Sequence, residues 1–398
     1  MTYFPTALWL WEKFYEVKNM GKKILRFLSY ILVAAVSVGI TLCLTRQPEH
    51  YTKLEQLRDL LVQRYINGAD VTDLEDAAAH AMVGALGDRW SYYIPAEEML
   101  SYQEQKDNAY VGIGVSIQQE ERGYLIVKVN QGGPAEEAGL LAGDVIVAVD
   151  GVSIVDMPVD EGKALVKGEA GTKVKIMVLR DQQEKTFIVE RKTVKTVVAS
   201  GQMLAGNIGL VTIENFNTNC FQESKAAIQS LLDQGAVALI FDVRFNGGGY
   251  ANEMVKLLDY LLPEGEVFHT LDYTGKEEVS RSDAACLELP MAVLVNGSSY
   301  SAAEFFAAAL QEYEWAIVVG EATSGKGHFQ VTYPLSDGSA VGLSIGKYFT
   351  PKGVCLEGKG ITPDVLLVVD ETTAAAIYAG TLDPMEDPQI LAAIEALR

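Results

Sequence analysis

The sequence predicts an α+β / α/β multidomain chain, and three observations carry that prediction. An uncharged apolar run near the N-terminus separates a basic segment from an acidic body. Residues from Tyr110 to about Lys195 alternate apolar with polar between glycine turns, as a compact β domain would. From about residue 200, apolar strand-like runs alternate with helical ones, which is the signature of βαβ units around a buried sheet. The expected division is a cytoplasmic N-terminus over 1–26, a transmembrane anchor over 27–45, a helical region over 48–106 and the β domain over 107–195. A β-α core follows over 196–370, and a helical tail closes the chain over 371–398.

The chain has 398 residues, with 32 Lys plus Arg against 53 Asp plus Glu, a formal net charge of −21. Hydrophobic residues at 49% and charged ones at 21% are globular proportions and exclude a wholly disordered or fibrous chain. The acidic balance argues against a nucleic-acid partner, which rewards clustered Lys and Arg. Four cysteines with no CxxC and no Cys/His cluster exclude a disulfide scaffold and a standard zinc site, and no obligatory bridge is expected.

Charge is unevenly placed. Residues 1–46 carry six Lys or Arg against two Glu, a net of +4, which leaves −25 for the remainder. Between them Phe27 to Leu44 is 18 residues without a charge, long enough for the ~17–25 residues of a bilayer span. With positive charge on its N-terminal side, the N-terminus stays in the cytoplasm and the body lies outside it. The expectation is a single-pass protein of the cell membrane with an extracytoplasmic body. A cleaved signal peptide and a buried core helix are the alternatives; no A-x-A-like site follows the run, and Leu42 before Cys43 is a poor match to lipoprotein cleavage.

Further along, Leu54, Leu57, Leu60, Leu61 and Tyr65 recur at helical spacing, and Leu74 to Leu86 is Ala-rich and ends at Gly87. The β domain shows GIGVSI, YLIVKV, DVIVAVDG and KVKIMVL, with turns at Gly132-Gly133-Pro134 and Asp150-Gly151 and a short helix from Pro134 to Leu140. The core alternates NIGLVTI, a helix Phe221 to Leu232, VALIFDV, a helix near Glu253 to Leu262, MAVLVN, a helix Ala302 to Tyr313, and AIVVG. From Glu371 the chain is again Ala-rich and helical. Both helical flanks are candidate oligomerisation surfaces, and core packing explains them equally well.

Three stretches could carry chemistry. In Val293 to Gln330 an apolar strand ends at Asn296-Gly297 and a helix starts at Ser301. A serine there is exposed above the positive end of the helix dipole, where backbone N–H groups can receive an oxyanion. Ser301-x-x-Glu304 is equally a capping box with no catalytic meaning. Lys326 in Ser324-Gly325-Lys326-Gly327 can act as general base if burial lowers its pKa; otherwise it is an exposed loop lysine. Gln330, four residues on, returns to the same side and could orient the amine without a charge. Among the four histidines, His328 offers a Ser301/His328 pairing as an alternative. The second stretch, Asp242 to Gly249 (DVRFNGGG), follows an apolar strand, and its glycines let backbone N–H groups approach a ligand closely; Asp242 and Arg244 read as a structural ion pair. No GK[ST] or GxGxxG pattern supports a phosphate loop. In the third, Tyr110 to Val115, backbone donors around Gly112, Ile113 and Gly114 could hold a peptide's terminal carboxylate while the next strand pairs with its backbone.

Taken together these residues resemble the carboxyl-terminal processing (tail-specific) serine protease family with a PDZ domain, from about Asp73 to Asp370. GGPAEEAGLLAGDVIVAVDG is similar to the family's PDZ segment, and DVRFNGGG resembles its D-L-R-x-N-x-G-G. Ser301-Ala302-Ala303-Glu304 matches S-A-S-E, Gly325 to Gln330 matches G-K-G-x-x-Q, and Gly358 to Asp364 matches the closing G-x-G-I-x-P-D. Leu86 to Tyr93 (LGDRWSYY) resembles the approach L-D-D-P-Y-S-x-Y. Ala303 for the second serine, His328 for a small residue and Lys167 where many members carry Arg are departures.

The resemblance implies a PDZ domain over 107–195 and a ClpP/crotonase-like protease core over 196–370. It implies Ser301 as nucleophile, Lys326 as base, Gln330 as its orienting partner and the Gly248 and Ala302 amides as the oxyanion hole. Gly112, Ile113 and Gly114 would hold the C-terminus of a protein or peptide substrate, and no metal or other cofactor takes part. A catalytically silent peptide-binding scaffold and a crotonase-like acyl-CoA enzyme are the rival readings.

Overall fold

The computed structural model describes residue 29 and residues 31–37, 52–130 and 132–398. The expected span Phe27–Leu44 lies largely outside the described residues; residue 29 and residues 31–37 within it are helical and exposed. Among the described residues no helix is long and apolar enough to cross a membrane.

The chain divides into two units, residues 1–79 and 80–398. In the first, the helix Lys53–Arg64 starts from a reciprocal cap: the Thr52 hydroxyl accepts the Glu55 N–H at 3.3 Å and the Glu55 carboxylate accepts the Thr52 N–H at 2.6 Å. Asp70 accepts the N–H groups of Thr72 and Asp73 and so starts the helix Val71–Gly84.

In the second unit, the β domain is a six-stranded antiparallel sheet of Val115–Glu120, Gly123–Val129, Val145–Val149, Val152–Ser153, Lys173–Arg180 and Gln183–Glu190. Its inward residues, among them Ile126, Ile146, Ile176 and Val189, form a core of their own. The helix Val159–Val166 packs so closely on this sheet that a Cβ on Gly162 would meet the Tyr124 ring hydroxyl at 2.3 Å. The sequence did not mark that helix.

The core is a six-stranded sheet in the order Ala199–Leu204, Ile208–Ile213, Ala238–Asp242, Met291–Val295, Ala316–Gly320, Val365–Leu366, parallel after the first hairpin. Alternate residues face opposite layers. Leu239, Phe241, Val293 and Val295 pack against the helices Cys220–Asp233, Ala251–Leu261 and Ala302–Glu312. Ile240, Ala292 and Leu294 pack against the C-terminal helix Pro388–Ala396 through Ile390, Ala393 and Ile394. That helix thus uses its apolar face on the core. Burial on both faces explains the unbroken apolar runs of these strands. The helix from Ala302 is buried from Ala302 through Leu310, so apart from Glu304 it is apolar on every face and rich in alanine.

One departure from the sequence reading matters for the site. The region 48–106 is not helical throughout, because Tyr92–Ile94 is a strand paired antiparallel with Ala340–Gly342. It belongs to a second, five-stranded antiparallel sheet with Gly265–Asp272, Glu277–Ser282, His328–Pro334 and Ala340–Phe349. Three residues are too few to show a period, and their partner lies some 250 positions away.

Arg244 is the structural ion pair the sequence suggested, with an added partner. Its guanidinium bonds Asp242 at 2.6 Å and Asp387 at 2.8 Å, with Gln389 Oε1 at 2.9 Å, tying the glycine-rich turn to the C-terminal helix. Burial alone would lower the Arg244 pKa, but the two carboxylates outweigh it and raise it. Asp387→Ala leaves a buried charge half-compensated and removes the N-cap of the last helix. We expect a loss of about 3–5 kcal/mol in denaturant unfolding; a change below about 1 kcal/mol would mean that water replaces the carboxylate.

Candidate active site

The parallel strands Ala238–Asp242 and Met291–Val295 point their carboxyl ends at one corner, where an open α/β sheet binds its ligands. Met291–Val295 runs into Asn296-Gly297, and the chain then turns sharply at Ser301, whose φ of 58° and ψ of −127° are strained for a serine. The turn is riveted to its neighbour. The Ser299 hydroxyl donates to the Val243 carbonyl at 2.7 Å, Asn296 Oδ1 accepts the Phe245 N–H at 3.0 Å, and the Tyr300 N–H reaches the Asn246 carbonyl at 3.1 Å. Ser301 is left 7% exposed at the N-terminus of a buried helix.

The capping box read from the sequence is formed. Glu304 Oε2 accepts the Ser301 N–H at 2.9 Å, as a capping box requires. The Glu304 N–H also bonds the Ser301 carbonyl at 2.8 Å. Glu304 does more than cap. Its carboxylate is 0% exposed and also accepts the Gly325 N–H at 2.7 Å, the Lys326 N–H at 2.8 Å and the Thr323 hydroxyl. One buried carboxylate therefore fastens the Ser301 turn to the Lys326 loop. Sequence spacing marked Glu304 only as a cap.

The glycine-rich turn closes against Ser301. A Cβ on Gly248, at φ +84°, would stand 2.8 Å from the Ser301 Cβ and 2.9 Å from the Ala302 nitrogen. Only glycine fits there. Asn246, fully buried, donates to the Ile213 carbonyl at 2.7 Å and accepts the Gly248 N–H at 2.8 Å. In this conformation the Gly248 donor is therefore occupied, while the Ala302 N–H, in the first turn of its helix, has no intrahelical acceptor.

Lys326 lines the same cavity of about 840 Å³ as Ser301, Gly248 and Gln330. Its amine lies 4.8 Å from the Trp90 ring centroid and 5.7 Å from that of Tyr300. Trp90 itself stacks on Tyr300 and donates its indole N–H to Glu357 at 3.0 Å. Burial, helped by the like charge of Lys106, pushes the Lys326 pKa down to about 8, against the opposing pull of Glu357, Asp88 and Glu304. No hydrogen bond links the Lys326 amine to the Ser301 hydroxyl here; the amine rests among the rings. Gln330 reaches the cavity, but its amide donates to the His328 carbonyl at 3.1 Å and to the Ser344 hydroxyl at 3.0 Å. His328 lies at the cavity edge with Nδ1 3.4 Å from Glu357. The ring pair Trp90 and Tyr300 escaped sequence reading; the LGDRWSYY approach was the available signal.

A separate cavity of about 330 Å³ lies in the β domain, lined by Gly112, Ile113, Gly114, Tyr124, Ile146 and Val166 among others. Its apolar floor and backbone rim suit an extended peptide end. At the rim Glu104 accepts the Val111 N–H at 3.1 Å and holds the Lys167 ammonium at 2.9 Å.

Residues 207–367 match the family described as Peptidase family S41, and residues 111–190 match the PDZ domain. The chain is 32% identical over 346 residues to a "Probable CtpA-like serine protease" of Staphylococcus epidermidis, covering 86% of this chain and 70% of that protein. It is 31% identical over 361 residues to "Carboxy-terminal processing protease CtpA" of Bacillus subtilis, covering 87% of this chain and 78% of that protein. A solved structure from Bacteroides fragilis, described under the S41 proteases, superposes with a TM-score of 0.53 at 16% identity, over 88% of this chain and 99% of that one, which is a likeness of fold.

Proposed function

The chain belongs to peptidase family S41, as a PDZ-bearing carboxy-terminal processing serine protease, and from that membership we propose that Ser301 is its nucleophile and Lys326 its general base. The carrying observation is that a strained serine at a helix N-terminus and a lysine with a pKa of about 8 line one cavity. The neutral Lys326 amine takes the Ser301 hydroxyl proton as its oxygen attacks the scissile carbonyl, and the ammonium then returns the proton to the leaving amine. Water repeats the exchange to release the acyl group. The Ala302 N–H and the Gly248 N–H, once Gly248 turns from Asn246, receive the developing oxyanion. Gln330 Oε1 steadies the amine after it leaves the Trp90 and Tyr300 rings.

In this reading the PDZ domain, over 107–195, takes the C-terminus of a protein or peptide substrate at Gly112, Ile113 and Gly114 and feeds an extended strand to the core over 196–370. The charge step around Phe27–Leu44 supports a membrane anchor with the body outside the cytoplasm, acting on exported or membrane proteins. Treatment with a fluorophosphonate tests the nucleophile. A single adduct should map to the peptide carrying Ser301 and vanish in Ser301→Ala; labelling elsewhere that blocks peptide cleavage would overturn the assignment.

A further inference from the structure

The catalytic cavity holds a second amine. Lys106, at the end of the helix Met99–Asp107, lines it together with Ser301 and Lys326. The helix end is fastened to the cavity wall. Asn108, at φ 48°, donates to the Thr218 carbonyl at 2.8 Å and to Asn215 Oδ1 at 3.1 Å. The Thr218 N–H reaches the Lys106 carbonyl at 3.2 Å, and Asn217 donates to the Gln105 carbonyl at 3.0 Å. The Lys106 backbone is thus hydrogen-bonded to the cavity wall.

Its ammonium lies 5.6 Å from the ring centroid of Tyr250, the residue following the glycine-rich turn, and 5.7 Å from that of Tyr102. Lys163, Lys167, Lys192, Lys256 and Lys276 each hold a carboxylate, whereas other described lysines, such as Lys128, Lys225 and Lys347, hold none. Among the described residues Lys106 holds none, and Glu214, the one carboxylate lining the cavity, is beyond ion-pair distance. An acidic protein therefore keeps an unpaired cation within electrostatic reach of the reacting lysine.

We propose that Lys106 is a specificity-determining residue, whose ammonium pairs with a carboxylate of the polypeptide substrate close to the scissile bond. The proposal rests on Ser301 and Lys326 being the reacting pair. Lysine presents a compact point charge on a flexible stem, so it can accept an Asp or Glu side chain or a terminal carboxylate without demanding bidentate geometry. Aromatic rings beside the stem limit its wandering, and partial burial keeps the attraction from being screened as it would be at the surface.

The test uses the full chain and internally quenched peptides of one sequence. A single Glu, or its Gln counterpart, is moved through three positions on either side of the cleaved bond, each peptide being made as free acid and as C-terminal amide. At one position Glu should exceed Gln by about tenfold in kcat/KM, which corresponds to about 1.4 kcal/mol. The ratio should fall to about one in Lys106→Gln, and Lys106→Glu should instead favour Lys there. If amidation rather than the Glu position removes the preference, and Lys106→Gln removes it too, the carboxylate is the terminal one. Equal kcat/KM for every wild-type pair, or a preference that survives Lys106→Gln, overturns the proposal and leaves the peptidase assignment standing. Cleavage that survives Ser301→Ala overturns the assignment itself.

Discussion

Lys326→Ala should lower peptide hydrolysis and fluorophosphonate acylation about ten-thousandfold while leaving the fold intact, because it removes the group proposed to take the serine proton. Lys326→Arg should fail equally, since a guanidinium stays charged throughout the working pH range. In the wild type the base must be neutral, so kcat/KM should rise with pH to a half-maximum near 8 and fall about tenfold per unit below it. Stability should also rise with pH, over a higher window. Burial holds the folded Lys326 pKa below its unfolded value of 10.5, so the unfolded chain binds the extra proton between about 8 and 10.5 and stability rises with pH across that window. Below it the charged amine is a standing penalty. Lys326→Met, which keeps the volume without the charge, should therefore melt higher than the wild type at pH 7, with the gain shrinking as pH rises through that window. Activity retained in Lys326→Ala would move the base to another residue, His328 first.

Gly248→Ala should be nearly as damaging through a different cause. The added methyl would meet the Ser301 Cβ at 2.8 Å and the Ala302 nitrogen at 2.9 Å, and both are backbone-anchored, so neither can give way cheaply. The φ of +84° adds strain of about 1–3 kcal/mol for any L side chain. We expect kcat to fall about 100–1,000-fold as the oxyanion donors move out of line, with a lower melting temperature and a KM changed far less. Wild-type kcat in Gly248→Ala would show that this peptide does not face the reacting carbonyl.

Much of the site was legible because it depends on local chemistry. The step from MAVLVN to a small-residue turn and an alanine-rich helix places Ser301 at a corner through periodicity alone, and the glycines after VALIFDV announce a close backbone approach. The sheets buried on both faces announce themselves as apolar runs. What escaped is what only tertiary pairing decides. The strands Gly265–Asp272 and Glu277–Ser282 carry charges on a half-exposed face and show no clean alternation. Glu304 spells a cap locally, whereas its three donors from Thr323, Gly325 and Lys326 come from a loop about twenty residues on. Gln330 was placed beside Lys326 by counting along a regular path. The pairing with Ala340–Phe349 shifts register between Phe329 and Gln330, which sets Gln330 opposite Ser344, and its amide bonds that hydroxyl. Lys106 and Trp90 lie far from Lys326 in sequence and meet it only in the folded chain.

This resting arrangement has consequences for turnover. The Lys326 amine lies over two rings and the Gly248 N–H is held by Asn246, so both must turn before this conformation can attack a carbonyl as proposed. Glu304 holds the two loops together.

The most direct measurement is the ionisation of Lys326 itself, followed by the 13Cε shift in lysine-labelled protein and assigned by its absence in Lys326→Met. A midpoint at about 8 that coincides with the midpoint of the pH–rate profile is the expected result. An amine that titrates at the ordinary lysine value of 10.5, in an enzyme already fully active at pH 7, would contradict it.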